Sequence, residues 1–268
     1  MHHHDPATQQ PNGQDRRTFL RGLGVACGTG LVAAGAEASA APQAAAARQQ
    51  VQATLAAVHQ RLAGSESTAW IFTGDSLIDN VATTHGWRSY SELFAQRVRG
   101  ELGRSTDLVV DTGKPGLQAA ELLAELDARA LSLRPQVVSI MLGLADSAQG
   151  AAGHESFRHT LTAIVARVIA AGACPVLHTP HTSTNAPEQA RLAGYVEIVR
   201  SVAAQAGVPL VDHFAHWQAA KPQAENLVAW LAEGSERPGV YGHRVLAYEL
   251  FRTLGIFGQS PTCELATP

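Results

Sequence analysis

The fold of this chain is decided by one stretch, Ile71-Phe72-Thr73-Gly74-Asp75-Ser76-Leu77. An apolar run that begins at Ala69 ends in Gly74-Asp75-Ser76, which predicts a buried strand followed by a tight turn. Such a turn presents a small hydroxyl at the end of the strand, so Ser76 is a candidate nucleophile. A serine hydroxyl is a poor nucleophile at neutral pH until a base takes its proton. The role of Ser76 therefore depends on a base elsewhere in the chain.

Four further short apolar runs follow, and helical patterns separate them. The predicted strands are 69–72, 107–111, 136–142, 175–179 and 208–211. The predicted helices are 87–102, 117–131, 157–171, 188–206, 217–231 with an interruption near Pro222, and 240–254. Short, continuous apolar strands are typical of a parallel sheet that is covered on both faces. The pattern predicts an α/β fold, a three-layer α/β/α sandwich around a five-stranded parallel sheet.

Ligands of such folds bind beyond the carboxyl ends of the strands. This rule places several strand-end segments on one rim of the domain: Ser76, Gly113, Gly143 to Asp146, Pro180 to Asn185, and Asp212.

Composition excludes some functions. The chain has 268 residues, of which 46% are hydrophobic and 16% charged, and its formal net charge is −3. This length suits one large domain. The chain lacks the basic excess that nucleic-acid binding favours, and the body has no apolar run long enough to cross a bilayer.

The first forty residues have the order of an export signal. Asp15-Arg16-Arg17-Thr18-Phe19-Leu20-Arg21 precedes a weakly apolar stretch, 22–36, and the small residues Ala38-Ser39-Ala40. A charged region, an apolar region and a small-residue cleavage site make up a secretory signal. The paired arginines resemble a twin-arginine (Tat) signal, which predicts a periplasmic or extracellular protein. A basic tail is the alternative, and Gly24 argues against a lipoprotein site at Cys27.

The predicted organisation has four parts. They are a signal peptide with a polar N-terminal tail (1–40), a helical lead-in (41–64), the main α/β domain (65–258) and a C-terminal tail (259–268). The lead-in carries Val51, Leu55, Val58 and Leu62 at helical spacing. Signal cleavage leaves Cys174 and Cys263, which we expect to be unpaired thiols.

Four blocks, in order, resemble the SGNH/GDSL hydrolase family over residues 65–255. They are Gly74-Asp75-Ser76-Leu77, Thr112-Gly113-Lys114-Pro115-Gly116, Gly143-Leu144-Ala145-Asp146 and Pro238-Gly239-Val240-Tyr241-Gly242-His243. The resemblance implies a flavodoxin-like sheet, no cofactor, and hydrolysis of carbohydrate O-acyl groups or other small esters. It also implies that Ser76 is the nucleophile and that Gly113 supplies a backbone N–H to an oxyanion hole.

The chain departs from the family pattern at the other chemical positions. Ala145 replaces the oxyanion asparagine, Arg237 stands at the position of the base histidine, and Gly234 at that of its orienting aspartate. A guanidinium stays protonated and offers only donors, so Arg237 cannot act as a base. Loss of one oxyanion donor typically costs about 100- to 1,000-fold in rate. The departures therefore predict weak or absent hydrolysis.

Two functions remain open at this stage. The first is a weak or inactive pseudoenzyme that binds an anionic or glycan ligand at the old site, through Arg237 and with Asp75 as a second possible ligand-binding residue. The second is an active esterase in which Ser76 uses a relocated histidine base, His181 or His85 before others. Arg237 could instead pair with Glu233 or Glu236 on the surface.

The remaining candidates have structural interpretations. No metal site is expected, because His178 and His181 on an extended strand end point different ways. Trp87, Trp217 and Trp230 are expected to pack against helices rather than to bind carbohydrate, and Asp75 to shape its turn. The expected partner is a small ester or glycan, with no nucleic acid and no stable membrane insertion after signal cleavage; the sequence leaves the oligomeric state open.

Overall fold

A computed structural model describes residues 31–75, 84–220 and 228–258, with side chains from residue 42 onward. Residues 41–268 form one compact unit. The strands are β1 (Ala69–Gly74), β2 (Leu108–Asp111), β3 (Val137–Met141), β4 (Cys174–His178) and β5 (Leu210–Val211). The α-helices are α1 (Leu31–Ala63), α2 (Tyr90–Ala95), α3 (Ala119–Arg129), α4 (His154–Ala170), α5 (Ala186–Ala206), α6 (His213–Ala219) and α7 (Val240–Thr253).

The five strands form one parallel sheet in the order β2-β1-β3-β4-β5. This is the flavodoxin-like order, and the direction of winding reverses between β1 and β3. The predicted five-stranded parallel α/β sandwich is thereby confirmed. The carboxyl ends of β1 and β3 flank this switch point, where ligands of such sheets bind.

Each face of the sheet packs against its own set of helices. One apolar cluster joins inward residues of β3 to α3, α4 and α5, with Leu122, Leu126, Leu161 and Val199 fully or almost fully buried. The other joins β1 to α1, α2 and α7 and is rich in aromatic rings, including Trp70, Phe72 and Phe94. Burial of both faces is the reason for the continuous apolar strands in the sequence.

The predicted lead-in helix is present as the second half of α1. Val58 is fully buried, and Leu55 and Leu62 pack against the cluster that contains α7. His59 Nε2 lies 2.5 Å from the carbonyl oxygen of Leu254, just after α7. The lead-in is therefore part of the packed domain.

One helix begins later than the sequence pattern predicts. Ser89 caps α2 through a capping box with Glu92, so the helix starts at Tyr90 instead of Trp87. Beyond Ala95 it continues as a π-helix, Gln96–Glu101. Trp87 therefore precedes the helix, and 64% of its surface is exposed. The prediction that Trp87 packs was wrong, whereas Trp217 is completely buried.

Two further properties concern the described residues alone. No helix among them is long and apolar enough to cross a membrane. Cys174 is a free thiol at the start of β4, and burial raises its pKa. Cys263 lies outside the described residues.

Candidate functional site

The turn after β1 is fixed by close packing at Gly74. Gly74 has φ +145°, and a Cβ atom there would lie 1.9 Å from the carbonyl oxygen of Met141. The N–H of Asp75 donates to that same oxygen at 3.1 Å, and Asp75 is buried. The turn is thus held against the end of β3 at the switch point. Ser76, the predicted nucleophile, is the next residue and lies outside the described residues.

The second block starts at the end of β2, beside this turn. The N–H of Lys114 donates to the carbonyl oxygen of Gly74 at 3.0 Å, so the two loops are joined. The N–H of Gly113, the predicted oxyanion donor, donates to Oδ1 of Asp111 at 2.9 Å. The Ser91 hydroxyl donates to the other oxygen of Asp111 at 2.7 Å. The Gly113 N–H is therefore already hydrogen-bonded to a carboxylate of the chain itself.

The third block begins beyond β3 and is anchored by its aspartate. Asp146 is buried, and its Oδ1 accepts the N–H of Ala119 at 3.0 Å, at the start of α3. Burial raises the pKa of this carboxyl, and its backbone hydrogen bonds oppose the shift. Ala145 precedes Asp146, half-buried, and its methyl group offers no donor. Asp146 is therefore a structural residue of this block, and the alanine before it cannot donate a side-chain hydrogen bond.

The fourth block is a turn between Leu231 and Pro238, which form an isolated antiparallel bridge. The N–H of Ala232 donates to the carbonyl oxygen of Arg237 at 2.8 Å. Gly234 is exposed and has φ +67°. As a glycine, it has no side chain that could orient a base. Arg237 is exposed, and no described carboxylate lies within ion-pair distance of it. Pairing of Arg237 with Glu233 or Glu236, one expectation from sequence, is absent.

Glu236 fastens this turn to the loop between β4 and α5. Its carboxylate accepts the N–H of Thr184 at 2.6 Å, the Ser183 hydroxyl at 2.9 Å and the Thr184 hydroxyl. Partial burial raises the pKa of Glu236, but the hydrogen bonds from Thr184 and Ser183 outweigh it and the net shift is downward. An ionised Glu236 therefore holds the fourth block in place.

His181 lies directly under the fourth block. Its Nε2 is 2.7 Å from the carbonyl oxygen of Glu236, and a carbonyl can only accept, so Nε2 carries the proton. The other ring nitrogen, Nδ1, is buried and has no hydrogen-bond partner among the residues that the structure describes. Burial lowers the pKa of His181 to about 4, so the ring is neutral at pH 7. Within the described residues, His181 therefore has an unpaired ring nitrogen and is bonded to the turn that contains Arg237.

The other buried histidines near the strand ends each bond through at least one ring nitrogen, while Nδ1 of His213 and Nε2 of His243 have no hydrogen-bond partner among the described residues. His178 lies between the Ser139 hydroxyl, 2.7 Å from its Nε2, and His213, whose Nε2 is 3.0 Å from its Nδ1. His243 Nδ1 accepts the N–H of Tyr90 at 3.2 Å. Burial lowers the pKa of both His178 and His243 to about 3. These three histidines hold the rim together.

His85, the second rescue candidate from sequence, is exposed and has φ +51°. The described part of the chain also contains no group of three His, Cys, Asp or Glu side chains arranged to hold a metal ion. Among the described residues, His181 is the buried histidine that combines an unpartnered ring nitrogen with a hydrogen bond to the turn that carries Arg237, so it is the best candidate for a relocated base.

Sequence reasoning missed the roles of two carboxylates at this site, Asp111 and Glu236, the second of which it considered only as a partner of Arg237. Asp111-Thr112-Gly113 has the pattern of an Asx-turn, in which an aspartate accepts a backbone N–H two residues on. That local signal could have identified the Asp111–Gly113 contact. The partners of Glu236 lie about fifty residues earlier in the chain, so no local pattern indicates them.

Comparisons with known proteins agree with the geometry. The sequence profile of the GDSL-like lipase/acylhydrolase family matches residues 72–245. The sequence matches none of the curated proteins. Among solved structures, the chain is similar to Axe2, an acetylxylan esterase from Geobacillus stearothermophilus, with 21% identity and a TM-score of 0.59 over 70% of this chain and 94% of that one.

Two other solved structures give similar values. LAE5, an alpha/beta hydrolase enzyme from the metagenome of Lake Arreo in Spain, is 22% identical with a TM-score of 0.59, covering 72% of this chain and 98% of that one. The acetyl xylan esterase AlAXEase is 17% identical with a TM-score of 0.59, covering 69% and 98%. At these identities the likeness establishes the fold. The profile match, which spans more than half of the sequence, shows that the chain belongs to the GDSL-like lipase/acylhydrolase family.

Proposed function

We propose that this protein is an ester-hydrolase family member in which hydrolysis is weak or absent and that its former active-site cleft binds an anionic or glycan ligand. The observation that carries the proposal is the hydrogen bond from the Gly113 N–H to Oδ1 of Asp111. An oxyanion hole works by aiming donors at the position where negative charge develops. A donor that already serves a carboxylate is unavailable to the substrate.

The fourth block supports the same conclusion. The exposed turn carries Gly234 and Arg237 in place of an acid and a base, and Ala145 removes a further donor. Removal of a base typically leaves only about 10³- to 10⁴-fold catalysis over water, supplied by binding and by the remaining donors. Combined with two compromised oxyanion donors, this loss favours a binding protein over an efficient enzyme.

Arg237 supports the binding of a ligand instead of hydrolysis. Its guanidinium is exposed and has no described carboxylate partner. A guanidinium binds carboxylates and sulfates with two parallel hydrogen bonds, which gives both affinity and geometric selection. Two of the structural neighbours are acetylxylan esterases, which makes an acetylated oligosaccharide a suitable first ligand to test.

Hydrolysis of p-nitrophenyl acetate and of acetylated xylo-oligosaccharide tests the proposal, with a Ser76→Ala variant as the control. We expect the two proteins to differ by less than about tenfold. Serine-dependent turnover far above this would overturn the pseudoenzyme reading. Calorimetry of the Ser76→Ala variant with the same oligosaccharide tests binding separately from turnover.

A second candidate function, an active esterase with a relocated base, is favoured by the unpartnered Nδ1 of His181. In this candidate the carbonyl oxygen of Glu236 fixes the ring, as an acid would, and Nδ1 takes the proton of Ser76. The Ser76 oxygen bonds to the acyl carbon, the protonated ring returns the proton to the leaving alcohol, and water then releases the acid.

Three variants separate the two candidates. Under the second, Ser76→Ala and His181→Ala each abolish turnover, while His216→Ala, at a half-buried histidine on α6, leaves it unchanged. A rate that falls with Ser76→Ala and not with His181→Ala would exclude His181 as the base. A rate that neither Ser76→Ala nor His181→Ala changes would support the first candidate function, a weak or inactive family member that binds a ligand.

We propose export by the twin-arginine route from the sequence of residues 15–40 alone. Fusion of these residues to a reporter that is active only after Tat transport tests it. Replacement of both Arg16 and Arg17 by lysine should retain the reporter in the cytoplasm. Undiminished export of the double variant would exclude the twin-arginine route.

A further inference from the structure

Three buried polar side chains beside the fourth block each have an atom without a hydrogen-bond partner among the described residues. The atoms are Nδ1 of His181, Oγ1 of Thr182 and Nε1 of Trp217. His181 is 2% exposed, and Thr182 and Trp217 are completely buried. Nearly all buried polar atoms of folded proteins are hydrogen-bonded, so three unpartnered atoms in one region require a physical explanation.

The turn 231–238 covers the first two of these residues. Nε2 of His181 donates to the carbonyl oxygen of Glu236 in this turn at 2.7 Å. The Ser183 hydroxyl donates to the carboxylate of the same glutamate at 2.9 Å. Thr182 lies between His181 and Ser183 in the chain. The segment that contains Thr182 is therefore bonded to the turn on both sides of it.

The same turn also packs against Trp217. A Cβ atom placed on Gly242 would lie 2.9 Å from the Pro238 side chain and 3.1 Å from the Trp217 ring, so these two side chains meet there. The rings of His181 and Trp217 have centroids 5.0 Å apart, and those of Trp217 and Trp230 are 5.1 Å apart. The polar patch formed by His181, Thr182 and Trp217 is thus closed off by one short segment.

The turn has little apolar surface of its own to hold it in place. Residues 232–237 are Ala-Glu-Gly-Ser-Glu-Arg, and all are exposed or half-buried. Among the described residues, every hydrogen bond between the turn and the loop 180–185 involves Glu236. One side chain therefore supplies most of the attachment to that loop.

Two opposing contributions decide whether the turn stays closed. Burial of a donor or acceptor without a partner is unfavourable, and water would satisfy all three atoms of the polar patch if the turn moved away. Hydrogen bonds to the ionised carboxylate of Glu236 favour the closed position, because bonds to charged groups are stronger than neutral ones. The closed turn is therefore held by Glu236 against the cost of the buried patch.

Ser183 has a second acceptor available when the turn opens. Its hydroxyl lies 3.1 Å from Oε2 of Glu188 and 2.9 Å from Oε2 of Glu236. A serine hydroxyl has one proton to donate, so the two carboxylates compete for it. Loss of the Glu236 contact would leave Ser183 bonded to Glu188, which lowers the cost of opening.

We propose that residues 231–238 form a lid over the polar patch and that the carboxylate of Glu236 is its latch. Opening the lid exposes an acceptor on His181, the Thr182 hydroxyl and the indole N–H of Trp217, while the rest of the domain stays folded. Local opening of this kind needs less free energy than global unfolding. The lid goes beyond the proposed function, because it exists whether or not the protein hydrolyses esters.

Labelling of histidines with diethyl pyrocarbonate, read by peptide mass spectrometry on the full-length protein at neutral pH, tests the lid. The reagent modifies neutral imidazole rings that solvent reaches. His178 and His213 are completely buried and bond to each other, so they report unfolding of the domain, while the His159 side chain is 77% exposed. We expect His181 to be labelled at least tenfold faster than His178 and His213, and more slowly than His159.

Removal of the latch should open the lid. Glu236→Ala keeps the backbone carbonyl oxygen that His181 contacts and removes the carboxylate, with its three bonds to Ser183 and Thr184. It should raise the labelling rate of His181 at least tenfold and leave the rates of the other buried histidines unchanged. Glu233→Ala, at an exposed carboxylate in the same turn, is the matched control and should change neither.

Thr184→Val separates the latch from a general loss of stability. The substitution removes the hydroxyl that donates to Glu236 and keeps the shape of the side chain. It should raise the labelling rate of His181 by about two- to tenfold in the otherwise unsubstituted protein. In the Glu236→Ala protein it should have no effect, because its partner is already absent.

Three outcomes would overturn the inference. Equal rates for His181, His178 and His213 in the unsubstituted protein would mean that only global unfolding exposes His181, and that no lid exists. An unchanged His181 rate in Glu236→Ala, or an equal rise in Glu233→Ala, would exclude the carboxylate of Glu236 as the latch. A rise at all three histidines in Glu236→Ala would also exclude it, because the carboxylate would then stabilise the whole domain.

Discussion

The N–H of Gly113 and Oδ1 of Asp111 are 2.9 Å apart, which makes Asp111 an internal anion at the second block of the family pattern. In the proposed function, attack by Ser76 on an ester would create a negatively charged oxygen that needs the Gly113 N–H as a donor. That oxygen would compete with a carboxylate that is also held by the Ser91 hydroxyl. Because two anions cannot share one donor without cost, the proposed function predicts that Asp111 opposes ester hydrolysis in addition to any effect of Ala145, Gly234 and Arg237.

Restoration of the family residues should therefore be incomplete unless Asp111 is also removed. The triple variant Ala145→Asn, Gly234→Asp, Arg237→His returns the second donor, the acid and the base. Addition of Asp111→Ala should raise kcat/KM for p-nitrophenyl acetate by a further 100- to 1,000-fold or so, the usual worth of one oxyanion donor.

A conservative change at Asp111 provides the control for this prediction. Asp111→Asn keeps a carbonyl oxygen that can accept the Gly113 N–H, so in the same triple background it should give little of the gain. Adding Ser76→Ala to the quadruple variant should abolish the rate. Equal rates for the triple and quadruple variants would mean that Asp111 does not block the hole.

Gly74→Ala should prevent stable folding. The added methyl group would lie 1.9 Å from the carbonyl oxygen of Met141, and the φ of +145° is one that alanine rarely adopts. We expect a loss of about 4 kcal/mol or more in the free energy of unfolding, measured by urea denaturation.

Gly116→Ala is the matched control, because Gly116 also has a positive φ, +75°, but a Cβ there meets no atom within 4 Å. Its cost should be only the backbone strain, about 1–2 kcal/mol. Similar losses for the two variants would show that the contact with Met141 is relaxed in solution.

Asp146→Ala should destabilise the protein by about 1–3 kcal/mol, because it leaves the N–H of Ala119 buried without an acceptor. Asp146→Asn retains one oxygen for that bond and removes a carboxylate whose charged form is disfavoured by burial. Asp146→Asn should therefore lower the free energy of unfolding by less than Asp146→Ala does. If both variants lose the same stability in urea, the Ala119 bond is not the main contribution of Asp146.

The elements of the fold were predictable because each carries a local pattern. Apolar runs of four to seven residues indicated the strands, and the fixed direction of parallel crossovers brought their carboxyl ends to one rim. The start of α2 was missed because Trp87 continues the apolar spacing, while Ser89 and Glu92 form the capping box that sets the boundary. Capping competes with periodicity at helix ends, and here capping prevails.

The site was predictable only as far as residue type decides its chemistry. Arg237 can be excluded as a base from its side chain alone. The tautomer of His181 could not be predicted, because it depends on the carbonyl oxygen of Glu236, fifty-five residues later in the chain. Likewise, the engagement of Gly113 depends on the orientation of the Asp111 side chain.

The buried histidines predict that acid destabilises the fold well before most carboxylates titrate. His178, His213 and His243 are fully buried, and burial lowers the pKa of each, to about 3 for His178 and His243. In the unfolded chain the histidine pKa is about 6.5. The free energy of unfolding is therefore highest above pH 6.5, where these histidines are neutral in both states. It falls as the pH decreases toward the pKa of the histidines in the folded protein, because only the unfolded state takes up protons in that range.

Each such histidine should lower the free energy of unfolding by about 2 kcal/mol between pH 7 and pH 5. The unfolding free energy from urea titrations across this range measures the slope. His178→Gln should reduce the slope by about one proton, while His159→Gln, at a side chain that is 77% exposed, should leave it unchanged. Because carboxylates contribute mainly below pH 5, a flat profile between pH 7 and pH 5 would mean that the unfolded chain gains no protons over the folded protein. In that case the Ser139–His178–His213 contacts must accommodate a charged ring.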